Sequence, residues 1–435
     1  MSESQRRFRS YLLITISFLV TAFFAGPTLQ TSWSLVAPAL AISVAFLSRS
    51  LSLSLGAAVI LGAFVVKQDQ SIGVASSAVG AIDLSLKYFW QAGSDQTNLQ
   101  ILGFVFFILT TVHIMSASGG LKALVRLMQG FIVGPRSAQL MTAILGCLIF
   151  IDDYANTMIV GSTMKRVTDR YKISREKLAF LVDATSAPIA GVALVSTWIG
   201  YEVGLFSEVS KQFSWDIDGY GIFLNALPFR FYCFFMLFFV FANILFDVDY
   251  GKMREARLSP IQDDDREDES FQGKAICSLL PLGLLLSLVF SLLWIDGGGL
   301  DARHSVLSFA SWREVLTTSE NSILILLQSS VVSFVVASVL GLFFSPMTGR
   351  EFFKTVISGV RSAGLPITIL ILAWSLKEVC GDLKTGEFIV TVLGDKISMT
   401  WLPIIIFCVS AITAFATGTS WGTMAILIPT VAPLA

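Results

Sequence analysis

Long apolar runs alternate with short polar breaks along nearly the whole chain. Runs close to the roughly 20 residues that cross a bilayer core of about 30 Å recur near 11–29, 32–48, 51–66, 99–116, 222–246, 275–294, 322–344 and 364–379. Each predicts a membrane-spanning helix. Two further apolar stretches, 138–163 and 178–206, carry polar residues inside them. A mixed polar stretch, 67–98, is expected to lie outside the membrane.

Basic residues set the direction of these runs. Arg6, Arg7 and Arg9 precede the first run and predict a cytoplasmic N-terminus by the positive-inside bias. The segment resembles a secretory signal, but further spans follow at once, so it reads as an uncleaved first span. Lys122, Arg126 and Arg136 collect on the inner side after the run 99–116. The stretch 138–163 then leads into "MKRVTDRYKISREK". A simple crossing would turn that basic loop outward. A re-entrant hairpin, entering and leaving on one side, keeps it inside, and its tip would be "IDDYANT". The stretch 178–206 is expected to be a broken span, interrupted by Asp183, Thr185, Ser186 and Pro188. Proline removes a backbone donor, and irregular backbone at membrane depth survives only where it lines a cavity.

The second half repeats this plan. A shift of 267 positions carries Gly119 onto Gly386, Asp152 onto Thr419, Asp153 onto Ser420 and Tyr154 onto Trp421. The first hairpin enters from the cytoplasm and its counterpart, near 403–430, from outside. Inverted-topology repeats of this kind bring broken elements together near the midplane. The expected organisation is an N-terminal span (1–30), a first repeat (31–246), a cytoplasmic linker (247–274) and a second repeat (275–435). Nothing in the second repeat matches the broken span 178–206 or the return span 222–246, so that repeat is expected to be incomplete at its C-terminus.

Composition narrows the function classes. The chain is 54% hydrophobic and 14% charged, against about 25% charged in soluble domains. Its basic residues stand singly or in short loops without interleaved aromatics, so no nucleic-acid partner is expected. Cys147, Cys233, Cys277, Cys380 and Cys408 show neither CxxC nor Cys/His ligand spacing, which predicts no disulfide, zinc or other cofactor. His113 and His304 stand alone, and His113, inside an apolar run, reads as a packed neutral imidazole rather than a proton relay. No Ser/His/Asp or metal-ligand set is placed for catalysis, and an enzyme is not expected.

The polar residues at membrane depth therefore carry the chemistry. A carboxylate there costs about 2.5–3.5 kcal/mol on insertion scales, and Asp152 and Asp153 are adjacent. One of them can cap the second hairpin arm, since a helix N-terminus favours negative charge. A cap needs only one residue, so a cation role is expected for at least one of the pair. Alkali cations prefer hard oxygen ligands, which Asp152, Asp153, Asn156 and Thr157 supply at the tip. Asp183, Thr185 and Ser186 supply more, with Na+ expected between Asp152 and Asp183. Loss of water favours the neutral acid of any carboxylate, so a cation and a proton compete for the same oxygens. The second hairpin holds Thr417, Thr419, Ser420 and Thr423 and no charge.

Two blocks, "IFIDDYANTMIVGSTMKRVTDRYKISREKLAFLVDATSAPIAGVALVSTWIGYE" and "FATGTSWGTMAILIPTVAPLA", closely resemble the NhaC-type Na+/H+ antiporter family. With the general pattern the resemblance spans roughly residues 30 to 435. It implies antiport of Na+ against H+ across a bacterial inner membrane. Some relatives instead exchange organic acids such as malate and lactate with coupled Na+ and H+. The implied fold is an all-α polytopic membrane protein with inverted-topology repeats, each with a re-entrant hairpin and a broken transmembrane helix. A homodimer is an assembly this class allows. Carried over residue by residue, the family motif points at Asp152, Asp153, Asn156, Thr157, Asp183, Ser186, Thr197, Thr419 and Ser420.

Overall fold

The computed structural model describes residues 32–48, 50–70, 74–256, 273–385, 388, 400–417 and 419–431. The expected first span with its cytoplasmic N-terminus, the acidic part of the linker, and Gly386 lie outside the described residues.

The described elements are all helical. The described residues open with α1 (Val36–Ser48), α2 (Leu51–Gln70), α3 (Val74–Ser94), α4 (Gln96–Ala117) and α5 (Gly120–Gln129). Next come α6 (Pro135–Leu148), α7 (Asp153–Arg170), α8 (Arg175–Val192) and α9 (Thr197–Phe213). Helix α10 (Gly219–Ala226) runs through a 3-10 turn into α11 (Phe231–Phe246) and the short α12 (Lys252–Ala256). The second half comprises α13 (Ile276–Asp296), α14 (Phe309–Thr318), α15 (Ser322–Phe343), α16 (Gly349–Asp382), α17 (Leu402–Thr417) and α18 (Ser420–Val431). Among the described residues, five helices (α2, α4, α13, α15 and α16) are long and apolar enough to cross a membrane, and two bent pairs raise the number to seven. Helices α8 and α9 bend by 41° at their break, and α10 and α11 by 50°. The chain is an all-α polytopic membrane protein.

Contacts divide the chain into two compact units. One comprises Met1–Leu99, Gly204–Ser214 and Leu365–Ala435, the other Gln100–Val203 and Trp215–Gly364. In the second unit α6, α8 and α11 share a core of Ala143, Leu181, Ala184, Val240 and Ile244. Helices α6 and α8 approach closely at Gly146, where a Cβ would lie 2.1 Å from Thr185 Oγ1; only glycine fits. In the first unit α3 packs on α2, and Ser77, Ala81, Ser85, Tyr88 and Ala92 form a buried stripe at helical spacing along α3. Tyr88 donates to the Asp382 carboxylate at the end of α16. Glu208 accepts from Lys377 at 2.9 Å, and Lys211 donates to Asp95 at 2.9 Å.

The stretch 67–98, expected outside the membrane, is mainly α3, in which Ser77, Ala81 and Ser85 are buried while Val79, Ile82, Leu86 and Trp90 are exposed. Two sequence expectations change. Pro188 does not interrupt α8, which continues to Val192 and breaks at 193–196. Proline deprives only the carbonyl four residues before it, so it does not dictate a break downstream. The run 222–246 is not one helix, because it bends at Arg230.

Candidate functional site

Two helix breaks meet within the second unit. The first, 149–152, separates α6 from α7; the second, 193–196, separates α8 from α9. The backbone N–H of Thr197 donates to the Ile151 carbonyl at 2.9 Å, so the breaks are joined main chain to main chain.

Asp152 is the N-cap of α7. Its Oδ1 accepts the Ala155 N–H at 2.8 Å, and its Oδ2 accepts from Thr197 Oγ1 at 3.1 Å. The side chain is 7% exposed, and Thr197 is fully buried. A short polar side chain in extended backbone just before an apolar helix is the local pattern that produces such a cap, and here the cap is also bound across the second break. Asp153, in the first turn of α7, accepts from Trp198 Nε1 at 3.0 Å. The two carboxylates are thus held by consecutive residues, Thr197 and Trp198, at the start of α9.

Helix ends leave carbonyls without partners, and side chains cover several of them here. Asn156 Nδ2 donates to the carbonyls of Gly146 and Ile149. Ser196 Oγ donates to Ala190 at 2.8 Å and Tyr220 Oη to Leu194 at 2.9 Å. Arg230 Nη1 donates to Gly191 at 2.9 Å. Asn156 Oδ1 is buried and has no hydrogen-bond partner among the described residues.

The sequence-predicted residues separate into groups. Asp152, Asp153, Asn156 and Thr197 gather at the joined breaks, and Thr157 Oγ1 donates to the buried Ser186 Oγ at 3.3 Å. Asp183 is exposed. It lies roughly 200° around α8 from the buried Thr185, as two residues of helix require. Thr419 and Ser420 belong to the other compact unit, at the break between α17 and α18, where Thr419 is half-buried and Ser420 exposed. Asn156 lies on the same helix face as Asp152, but its amide nitrogen is engaged with the α6 carbonyls.

Sequence reasoning missed Arg230 and the importance of Glu202. Arg230 donates to both Glu202 oxygens, and its guanidinium lies 5.1 Å from the centre of the Phe223 ring. The available signal was "LPFR", a proline and an arginine inside an apolar run. His113 of α4, expected to be a packed imidazole, pairs its Nδ1 with the Leu109 carbonyl at 3.0 Å.

The sequence profile of the Na+/H+ antiporter family matches residues 189–435, more than half of the chain. The match includes Thr197, Thr419 and Ser420 and begins beyond the hairpin of Asp152. The chain is 30% identical to an uncharacterized protein of Haemophilus influenzae, over 98% of this chain and 80% of that one. Among solved structures, MtrF of Neisseria gonorrhoeae, described as illuminating a class of antimetabolite efflux pumps, is similar with a TM-score of 0.51. That similarity covers 83% of this chain and 70% of that chain at 14% identity, and bears on fold alone. The profile match bears out the resemblance to NhaC-type antiporters. With its membrane-spanning helices, this chain is a multi-pass secondary transporter that belongs to the Na+/H+ antiporter family.

Proposed function

We propose that this transporter exchanges Na+ for H+ across a bacterial inner membrane, with Asp152 as the carboxylate for which the two ions compete. One observation carries the reading: a buried carboxylate stands where two helix breaks are joined. Na+ is a hard cation and takes oxygen ligands. In the proposed set Asp152 supplies the charge, and Thr197 Oγ1 and Asn156 Oδ1 supply neutral oxygens. Asp153 tunes the neighbouring charge, and Thr157 and Ser186 contribute hydroxyls. Asp183, exposed on α8, falls outside this set. A proton on Asp152 removes the charge that holds Na+, so binding of either ion displaces the other. Everted membrane vesicles containing the protein, loaded with a pH-reporting dye, should dequench on addition of Na+. Silence with both Na+ and Li+ would overturn the reading.

Arg230 favours one alternative, coupled exchange of an organic acid such as malate or lactate. It supplies a cationic guanidinium beside the second break. Glu202 already occupies that guanidinium, so a carboxylate substrate would have to displace an internal one. Counterflow of radiolabelled malate or lactate distinguishes the two readings.

A further inference from the structure

Within the second unit, α5 sits where two membrane-crossing helices end. It follows the end of α4 after a short turn. Its first residue, Gly120, lies against the start of α13, where a Cβ would come 2.9 Å from the Ser278 backbone nitrogen. Both α4 and α13 are long and apolar enough to cross a membrane, so α5 stands at the depth of a headgroup layer. Leu121 and Val125 are its buried face. The segment that follows is held by its backbone. Tyr171 Oη donates to the Ile132 carbonyl at 3.2 Å, and the N–H groups of Val133 and Gly134 donate to Ser137 Oγ at 2.9 Å. The large apolar side chains beside these anchors point away from the protein. Leu127 is 63% exposed, Phe131 73% and Val133 88%.

Charge on this segment has one sign. It carries Lys122, Arg126 and Arg136, and the sequence holds no Asp or Glu from Gln96 to Ile151. Lys122 and Arg126 are four residues apart and share a side of α5. Arg126 and Arg136 are exposed and Lys122 is half-buried. None of the three is paired with an acidic side chain among the described residues. Exposed apolar side chains set among unpaired cations characterise an element that lies in a membrane surface, and cations there are drawn to anionic headgroups. A zwitterionic lipid would leave the three charges unbalanced. A soluble acidic partner would balance them and leave Leu127, Phe131 and Val133 in water. An anionic lipid answers both.

We propose that α5 and residues 130–136 form an in-plane docking surface for anionic phospholipid. Leu127, Phe131 and Val133 lie among the acyl chains, and Lys122, Arg126 and Arg136 meet the phosphate layer above them. The surface is independent of the ion-exchange reading.

Native mass spectrometry of the full chain, purified and titrated with single lipids, tests this directly. Phosphatidylglycerol should be retained more tightly than phosphatidylcholine by about fivefold or more, fivefold being the gain from one cation at an anionic layer. Lys122→Ala, Arg126→Ala and Arg136→Ala together should cut that preference by at least the same factor. If the half-buried Lys122 does not tolerate Ala in thermal unfolding, the exposed pair Arg126→Gln with Arg136→Gln should give a smaller loss of the same kind. Phe131→Ser with Val133→Ser should weaken retention of both lipids and leave their ratio unchanged. Equal retention of the two lipids by the wild type, or an unchanged preference in the cation variants, would overturn the proposal. Displacement of the lipid by soluble glycerol phosphate would overturn the lipid source. A preference that emerges only when Asp263, Asp264 and Asp265 are changed to Asn would assign the basic surface to the chain's own linker and overturn it as well.

Discussion

At the scale of single residues, the adjacent aspartates divide their roles by geometry. Asp152 caps α7 and is bound by Thr197, whereas Asp153 is held by a single indole donor and is more open. Asp152→Asn should abolish Na+-driven proton movement in everted vesicles, because an amide oxygen can bind Na+ weakly but cannot exchange a proton. Asp153→Asn should still transport, with a raised half-saturating Na+ concentration. Wild-type behaviour of both variants would make the pair structural. Asn156 offers a prediction on stability rather than exchange. Asn156→Ala strips two donors from the carbonyls of Gly146 and Ile149, and an unsatisfied buried group costs about 1–3 kcal/mol. Its unfolding temperature in detergent should fall clearly below that of Thr157→Ala, whose hydroxyl bond is longer and half exposed.

At the scale of elements, the break between α6 and α7 was legible because two charges and an amide interrupt an apolar run. Its cap was legible too, since Asp followed by an apolar helix has few other roles. The second break was located too early, at Pro188, because proline is the visible breaker in sequence. The actual break depends on Ser196, Tyr220 and Arg230 taking its carbonyls, and two of those lie far along the chain. Arg230 and Glu202 allow this to be tested. Both are largely buried, and leaving one member of such a pair uncompensated costs about 3–5 kcal/mol. Arg230→Met should therefore be strongly destabilised, and adding Glu202→Gln should recover part of the loss. A double-mutant cycle on thermal unfolding measures the coupling, and strict additivity would mean that the pair does not brace the break.

At the scale of the whole molecule, hydropathy revealed the class and most of the spans but not the two compact units. Contacts assemble each unit from segments far apart in the chain, and no local pattern encodes such assembly. Helix α3 shows the same limit: Ser77 and Ser85 are buried, while Asp83 and Lys87 share its exposed face with Val79, Ile82, Leu86 and Trp90. Tertiary charge pairs outside the membrane were likewise hidden. Asp95, between α3 and α4, is one of these. Burial pushes its carboxyl up, but Lys211 and the backbone N–H groups of Asn98 and Thr97 outweigh that and hold it below the ordinary range. A lowered folded value stabilises the protein above the unfolded value of about 3.9 and loses that contribution as pH falls through the folded value. Asp95→Asn should therefore lower the unfolding temperature at neutral pH and converge on wild type in strong acid. A constant difference across the whole pH range would contradict this pairing.

The single backbone bond from Thr197 to Ile151 has a consequence for affinity. Both breaks, with Asp152 between them, belong to one unit, so the carboxylate and its nearest donors have no part of their geometry borrowed from elsewhere. On the proposed reading, an ion arriving from either compartment would meet the same oxygens at the same spacing, and the two gradients alone would set the direction of flow.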